Sequence, residues 1–162
     1  GGMITKIKAA RVLMAAGIPL VICQGHAERA VVRAAAGEEI GTRFVALEQP
    51  HEITPRKLWI ALGDAARGAL VVDDGAKRAL VERGSSLLSV GIVRVEGRFA
   101  DGDIVDVKDG SGHLFARGRA AFSSDEVDLS CGRSREELER NRLLSAFADK
   151  PVIHRDDLIA FE

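Results

Sequence analysis

Residues 68–84 have the sequence GALVVDDGAKRALVERG, and this stretch decides the fold of the second half of the chain. The apolar run 68–72 predicts a short strand. Asp73 or Asp74 can then cap a helix that runs from about residue 76 to 83, and Gly84 ends that helix. Capping explains the two adjacent aspartates better than a paired acid–base site or a magnesium site does. The stretch therefore predicts a strand that leads directly into a capped helix.

Further short strands follow this unit at regular spacing. Residues 92–96 and 104–107 alternate in polarity, as half-buried strands do, and residues 113–119 can pair back across the turn at 109–112. A capping box, Ser134 with Glu137, begins a short helix, and residues 150–161 supply a closing strand. Short strands with a few short helices predict a small, partly open β-barrel.

The first fifty residues show a different pattern, in which helices and strands alternate. Residues 5–16 and 27–36 predict helices that end at glycines. The apolar run 20–23 predicts a buried, parallel strand, and residues 41–46 predict another strand. This alternation is typical of α/β domains. The segment is too short to bury both faces of a parallel sheet, so it is expected to need partner strands from elsewhere.

The two halves are predicted to meet in a connecting segment. Residues 47–55 contain two prolines and no periodicity, which favours a linker, and residues 56–62 hold the single Trp in a short helix expected to dock the halves together. The predicted domains are therefore 1–50, the end of an α/β domain; 51–67, a linker and docking segment; and 68–162, the β module.

Composition excludes several classes of protein. The 162 residues are 46% hydrophobic and carry a formal net charge of −1, which excludes bulk disorder. The sequence pI is near 6.5, so any RNA contact must come from a local basic patch. The two cysteines, Cys23 and Cys131, are far apart in the sequence, and neither has a second Cys or a His at metal-ligand spacing. A disulfide scaffold and a zinc site are therefore both disfavoured. No run of about 20 apolar residues and no signal peptide is present, so a cytoplasmic protein without membrane contact is expected.

Two series of residues, in chain order, resemble the glutamate 5-kinase family. The first resembles the nucleotide loop and following helix of the amino acid kinase fold, with its pattern TGGMxTK and a downstream double alanine: Gly1-Gly2-Met3-Ile4-Thr5-Lys6, Ala9-Ala10, Gly17-Ile18 and Gly25. The second resembles the family's PUA domain: Arg56-Lys57-x-Trp59-Ile60, Val72-Asp73-x-Gly75-Ala76, Gly84-Ser85-Ser86-Leu87-Leu88, Gly91-Ile92, Gly97-x-Phe99, Gly102-Asp103 and His154-Arg155-Asp156. The resemblance covers essentially the whole chain. It implies a fragment of an amino acid kinase fold followed by a mostly β, PUA-like pseudo-barrel with short helices.

The resemblance also implies an activity. Members of the family use ATP and Mg²⁺ to phosphorylate the γ-carboxylate of L-glutamate, the first step of proline biosynthesis, and proline inhibits them. Six residues would then line the ATP site, with Lys6 as the catalytic residue that stabilises charge on the phosphates: Gly1, Gly2, Met3, Ile4, Thr5 and Lys6. No metal ligand is predicted in this chain. The family's amino-terminal half, including the glutamate site, is absent, so the chain alone is expected to be inactive.

The chemistry of these residues fits a phosphate site. Glycines let backbone N–H groups approach a phosphate, a helix N-terminus adds a favourable dipole, and a lysine supplies a point charge. Without the resemblance, Gly-Gly before a helix would more often be a simple turn. The stretch is not a Walker A loop, because the pattern around Gly-Lys-Ser/Thr is missing.

A PUA domain also implies RNA binding, through a basic groove beside its first helix. The candidate residues are Lys77, Arg78, Arg94 and Arg98. Interleaved acidic residues and an aromatic content of 4% favour an ordinary mixed-charge surface instead. Two alternative functions therefore stay open: a free-standing RNA-binding module and an oligomerisation module. Exposed sheet edges in the α/β segment favour a homo-oligomer.

Overall fold

The computed structural model of the chain describes residues 2–46, 54–63, 65–142 and 144–161. The chain divides into two compact units, Gly1–Thr54 and Pro55–Glu162. Within the described ranges, none of the helices is both long and apolar enough to cross a membrane.

The first unit contains two helices and a two-stranded sheet: α1 (Met3–Ala15), β1 (Leu20–Cys23), α2 (Ala30–Ala35) and β2 (Gly41–Phe44). The strands pair in register from Leu20 opposite Phe44 to Cys23 opposite Gly41. A side chain at Gly41 would collide with the backbone of Cys23, so glycine lets the two strands approach each other here. The two helices and two strands that the sequence predicts are all present, although α2 and β2 are shorter than predicted.

The predicted parallel strand is wrong, because β1 and β2 are antiparallel and β1 is only half-buried. The physical reason lies in α2, which covers six residues rather than the ten predicted. Arg29, at its N-cap, has a left-handed backbone with φ of 51°, so the helix starts late. A six-residue helix rises about 9 Å, whereas β1 extends about 13 Å. The connection therefore does not carry the chain back along β1, and β2 begins beside the end of β1.

The second unit is built on a five-stranded mixed sheet of order β4-β3-β5-β6-β7. β3 and β5 are parallel and every other neighbouring pair is antiparallel. Its elements are α3 (Pro55–Leu62), β3 (Gly68–Val72), α4 (Asp74–Arg83), β4 (Ile92–Gly97), β5 (Ile104–Lys108), β6 (Leu114–Arg119), α5 (Ser124–Ser130), α6 (Arg135–Glu139), α7 (Ala146–Asp149) and β7 (Leu158–Ala160), with 3₁₀ turns at Ser89–Gly91 and Arg155–Asp157.

One face of this sheet carries the hydrophobic core. Leu70 and Val107 point into it and are fully buried, and Leu80 of α4 packs against them. Phe122 and Phe147 stack with ring centroids 4.1 Å apart. The opposite face, called here the outer face, carries charged side chains on alternate positions of β4, β5 and β6, whereas the outward residues of β3, Ala69 and Val71, are apolar and buried. This alternation separates the core from the surface that is described below.

Helix α5 protects the open edge of the sheet. Its leading residue Ser124 donates its N–H to Phe99 O at 2.9 Å, and Gly132, just after the helix, donates to Ser89 O at 3.0 Å. These two bonds bracket edge strand β4, and the helix lies alongside it. A covered edge cannot pair with a strand of another molecule. Helix α5 was not predicted from the sequence, although Ser123 and Glu126 form a capping box that marks its start.

Most predicted elements of the second unit are confirmed. Asp73 caps α4 by accepting the Ala76 N–H at 2.7 Å, and Gly84 ends the helix in the left-handed region with φ of 58°. The closing strand predicted over 150–161 is wrong in length, because only Leu158–Ala160 is a strand. Ile153 instead makes an isolated bridge to Leu87, and the 3₁₀ turn that follows reverses the chain before β7 starts.

Candidate functional site

The predicted nucleotide residues lie together at the N-terminus of α1. Gly2 is the N-cap of this 13-residue helix, with an extended backbone and no side chain that caps the first turn. The first turn carries no acidic residue, and Met3, Ile4, Thr5 and Lys6 are exposed. Gly1 lies outside the described residues. The helix end therefore leaves backbone N–H groups open to a ligand from solvent.

Lys6 adds a positive charge to this helix end. It follows Gly2 by one turn, and its N–H points to Gly2 O at 3.4 Å, so both residues lie on the same side of the helix. An uncapped helix N-terminus with a nearby ammonium group favours an anion such as phosphate. The role of these residues in binding a nucleotide stays a prediction. In the part of the chain that the structure describes, no group of three or more His, Cys, Asp or Glu side chains could hold a metal ion.

The four predicted RNA contacts are not brought together. Lys77 Nζ pairs with Asp109 Oδ2 at 3.0 Å and lies 5.1 Å from the centroid of the Phe115 ring. Arg78 is exposed on α4, which packs on the core face of the sheet. Arg94 belongs to the outer face, and Arg98 follows the far end of β4. Residues close in sequence are thus separated by the sheet itself.

A shallow cleft of about 230 Å³ lies beside α4, where the resemblance implies an RNA groove. Asp73, whose carboxylate caps α4, is the charged residue of its lining, and no lysine or arginine lines it. The exposed side chains of Leu88 and Val90 form one wall. Its lining is mainly apolar: Asp73, Gly75, Ala76, Ala79, Leu80, Ser86, Leu87, Leu88, Val90 and Gly91. Phosphate groups would therefore meet no cation inside this cleft.

The outer face carries a network of charged side chains from strands β4, β5 and β6. Glu96 of β4 reaches over β3 to Lys108 of β5 at 2.7 Å and also binds Arg94 at 2.7 Å. These hydrogen bonds, first from Lys108 and then from Arg94, hold the pKa of Glu96 below its ordinary value. Asp106 pairs with Arg117 across β5 and β6 at 2.8 Å. In the sequence, this face is indicated by the alternation of charged and apolar residues along strands β4, β5 and β6.

The network continues to helix α3. Asp157 is nearly buried and accepts hydrogen bonds from Arg56 Nη2 at 2.9 Å and from Arg119 Nη2 at 3.4 Å. Arg117 Nη1 also reaches the carbonyl of Ala61 at 3.4 Å. These contacts fix α3 over β6 and β7 on the outer face.

Two further groups have shifted pKa values. The Asp109 carboxylate accepts hydrogen bonds from the Ser111 hydroxyl at 2.6 Å and from Lys77 at 3.0 Å, and these bonds, with the backbone N–H of His113, hold its pKa well below the ordinary value. Burial raises the pKa of the Cys131 thiol to about 11, and the nearby charge of Asp128 adds to this effect.

Comparison with known proteins supports the resemblance in both halves. Residues 68–141 match the sequence model of the PUA domain family. Glutamate 5-kinase of Shewanella sediminis is 42% identical over 159 residues, which are 98% of this chain and 42% of that protein. The corresponding protein of Streptomyces coelicolor is 46% identical over 160 residues, 98% of this chain and 41% of that protein. Glutamate 5-kinase of Caldanaerobacter subterraneus is 43% identical over 162 residues, which are 100% of this chain and 42% of that protein.

Solved structures give weaker likenesses. A PUA domain from Aeropyrum pernix, crystallised with tartrate, is 32% identical over 46% of this chain and 41% of its own, with a TM-score of 0.38. A PUA domain protein from Thermoplasma acidophilum is 20% identical over 80% of this chain and 99% of its own, also with a TM-score of 0.38. The sequence matches carry the argument. The predicted resemblance and the PUA-like fold class are confirmed, and the chain spans about two fifths of the length of its curated relatives.

Proposed function

We propose that this chain, similar along its whole length to glutamate 5-kinases, works as part of an enzyme that transfers the γ-phosphoryl group of ATP to the γ-carboxylate of L-glutamate. The product is glutamyl 5-phosphate, the first intermediate of proline biosynthesis. The observation that carries this proposal is the match itself: relatives of that name are 40–46% identical to this chain over 98–100% of its length.

The α1 N-terminus supports the proposal chemically. Phosphoryl transfer depends on positioning and on stabilising negative charge that spreads over the phosphate oxygens. The open N–H groups after Gly2 would bind a phosphate, with Gly1, Met3, Ile4 and Thr5 lining the same site, and the exposed Lys6 ammonium would stabilise charge on the transferred group. The glutamate carboxylate is itself the nucleophile, so none is required from the protein.

Magnesium fits this helix end only through the nucleotide. The first turn of α1 offers no carboxylate, and the described residues hold no metal-binding cluster. Mg²⁺ commonly enters nucleotide sites bound to the phosphates, with few protein ligands. The chain's own contribution is therefore to bind and orient the phosphates, and the glutamate site is expected in the remaining length of the enzyme.

The same proposal covers regulation and assembly. The enzyme would be a cytoplasmic homo-oligomer inhibited by proline, and the PUA-like unit would contribute to assembly or regulation more than to catalysis. The 162-residue chain alone should be inactive, because it spans about two fifths of its relatives.

The test is an activity assay on a protein of the relatives' full length that contains this chain. Glutamate-dependent ADP release is measured for the wild type, for Lys6→Ala and for Lys8→Ala, a matched control two residues along the same helix. Loss of Lys6 should lower kcat about 100-fold, as loss of one charge-stabilising group does, whereas Lys8→Ala should change it less than threefold. No glutamate-dependent turnover by the wild type, or equal effects of both variants, would refute the proposal.

The match to the PUA family favours RNA binding as a second candidate function. Because no cation lines the cleft beside α4, the proposed phosphate contacts are Arg78 and Arg83, two exposed arginines of the same helix. A gel shift of the chain with transfer RNA at low salt tests this idea. The shift should weaken in the Arg78→Ala/Arg83→Ala variant, and absence of any shift would remove this function.

A further inference from the structure

The outer face of the second unit concentrates positive charge that the chain as a whole lacks. The face contains seven cationic and three acidic side chains: Arg56, Arg67, Arg94, Arg98, Lys108, Arg117 and Arg119, with Glu96, Asp106 and Asp157. Its formal excess is four positive charges. Two remain in excess when Asp101 and Asp103 of the adjoining turn are included, although the whole chain carries −1. This face is therefore more positive than the chain as a whole, which favours contact with a polyanion.

Two arginines on this face are available for a ligand. Gly68 pairs with Gly97, so Arg67 and Arg98 adjoin each other one step beyond that pair, at the end of β3 and β4. Arg67 donates its backbone N–H to Ile104 O at 2.9 Å, and Ile104 lies opposite Arg119 of β6. Both guanidinium groups are exposed, and no described residue pairs with either.

The spacing of these arginines indicates the kind of anion. Neighbouring strands lie about 4.8 Å apart, so the row from β4 through β3 and β5 to β6 extends about 14 Å. One phosphate group cannot contact both ends of such a row. The row fits several phosphates that are linked along a chain.

The single tryptophan of the chain lies on helix α3, which packs over strands β6 and β7 of the same sheet. Trp59 is 62% exposed, although its neighbours Ile60 and Ala61 are buried against the sheet. It follows Arg56 by three residues on α3, so the two side chains lie on one side of the helix, one turn apart. Arg56 contacts Asp157, which also binds Arg119. An exposed indole on the helix that packs over β6, the strand of Arg119, is suited to stack an unpaired base.

We propose that the outer face binds single-stranded nucleic acid, with phosphates on the row formed by Arg98, Arg67 and Arg119 and a base stacked on Trp59. Arg67 and Trp59 precede the residues that match the PUA family model, and the surface lies across the sheet from the α4 cleft. The site is therefore separate from both functions proposed above. A base-paired duplex has no free base face to offer to Trp59, so single strands are preferred.

The test uses the 162-residue chain and a fluorescein-labelled 12-nucleotide uridine oligomer at 50 mM salt. Binding should quench the fluorescence of Trp59, the sole Trp of the chain. The Arg67→Ala/Arg98→Ala variant should bind about tenfold more weakly, and the slope of log K against log salt should become shallower by about 1.4, since each single-strand phosphate contributes about 0.7. Trp59→Ala should lose about tenfold in affinity, and Trp59→Phe should recover most of it.

The control variant removes two positive charges from a part of the surface outside the proposed site. Arg140→Ala/Arg142→Ala changes two exposed arginines after α6 and should alter affinity less than twofold. The proposal is overturned if the oligomer does not bind at 50 mM salt, or if a duplex of equal length binds as tightly. It is also overturned if ATP alone competes at the same phosphate concentration, or if Arg78→Ala/Arg83→Ala weakens binding while Arg67→Ala/Arg98→Ala does not. The last result would assign nucleic acid to the α4 cleft instead.

Discussion

Replacing Asp157 with asparagine should lower the free energy of unfolding of the second unit by about 2 kcal/mol. The Asp157 side chain is 13% exposed and links helix α3 to strand β6 through Arg56 and Arg119. Asparagine has nearly the same volume, so the variant removes the charge without opening a cavity. The test therefore isolates the electrostatic contribution of this carboxylate.

The magnitude follows from the exposure of the two partners. Removing one partner of a fully buried ion pair costs roughly 3–5 kcal/mol, because an uncompensated charge stays in the interior. Here the arginines are 57% and 43% exposed and regain water when the carboxylate is lost, which reduces the penalty. The bond from Arg56 at 2.9 Å is well formed, whereas that from Arg119 at 3.4 Å is long and contributes little. One charge-assisted hydrogen bond with partial rehydration corresponds to about 2 kcal/mol.

Urea unfolding of the 162-residue chain, followed by far-ultraviolet circular dichroism, measures this loss. In thermal unfolding, the same change should lower Tm by roughly 10 °C for a unit of this size. The matched control is Arg135→Ala, which breaks an exposed i,i+4 pair with Glu139 and should leave the free energy of unfolding almost unchanged. An Asp157→Asn variant as stable as this control would refute the reasoning.

Three further predictions concern the second unit. The pKa of Asp109 is depressed in the folded state, so its contribution to stability is present above its ordinary pKa of 3.8 and decreases as the pH falls below it; acid titration should show that Asp109→Asn is less stable at pH 7 but loses less stability below about pH 4. A Cβ on Gly91 would lie 2.5 Å from Ala76 Cβ, so Gly91→Ala should destabilise by about 1–3 kcal/mol in urea, whereas Gly110→Ala, with no atom within 4 Å, should stay within about 0.5 kcal/mol. Because the Cys131 pKa is about 11, roughly one thiol in a thousand is ionised at pH 8. In a Cys23→Ala background, Cys131 should therefore react with a disulfide reagent far more slowly in the folded protein than in guanidinium. Equal rates in the two states would contradict the burial of Cys131.

The sequence predicted best those features that are set by local interactions. The Asp73 cap of α4, its end at Gly84 and the capping box at Ser134 each depend on residues within one or two helical turns, and all are present. Helix α5 was missed although the capping box at Ser123 is equally clear. Its buried positions, Ser124, Val127 and Ser130, include one large apolar residue, so hydrophobic periodicity gives little indication of a helix there.

Features that depend on contacts between distant residues were predicted less well. A continuous apolar run such as Leu20–Cys23 is compatible with a parallel or an antiparallel partner, and here the short helix α2 decides between them. The extent of the last strand likewise depends on a bridge between Ile153 and Leu87, 66 positions earlier in the chain. Local propensity contains no information on either pairing.

The basic residues illustrate the same limit for a binding surface. Lys77, Arg78, Arg94 and Arg98 form a compact group in the sequence, but strand alternation and sheet order direct Arg94 to the outer face and α4 to the core face. The same sheet order brings Arg67, Arg98 and Arg119 into one row, although up to 52 positions separate them in the chain. Since a polyanion senses the distance between charges in space, the cross-strand register determines which arginines act together. Exchanging Arg67 for alanine should therefore weaken a ligand bound at Arg119 more than exchanging Arg78 does, although Arg78 is closer to Arg119 in the sequence, because Arg78 lies on α4 at the core side of the sheet.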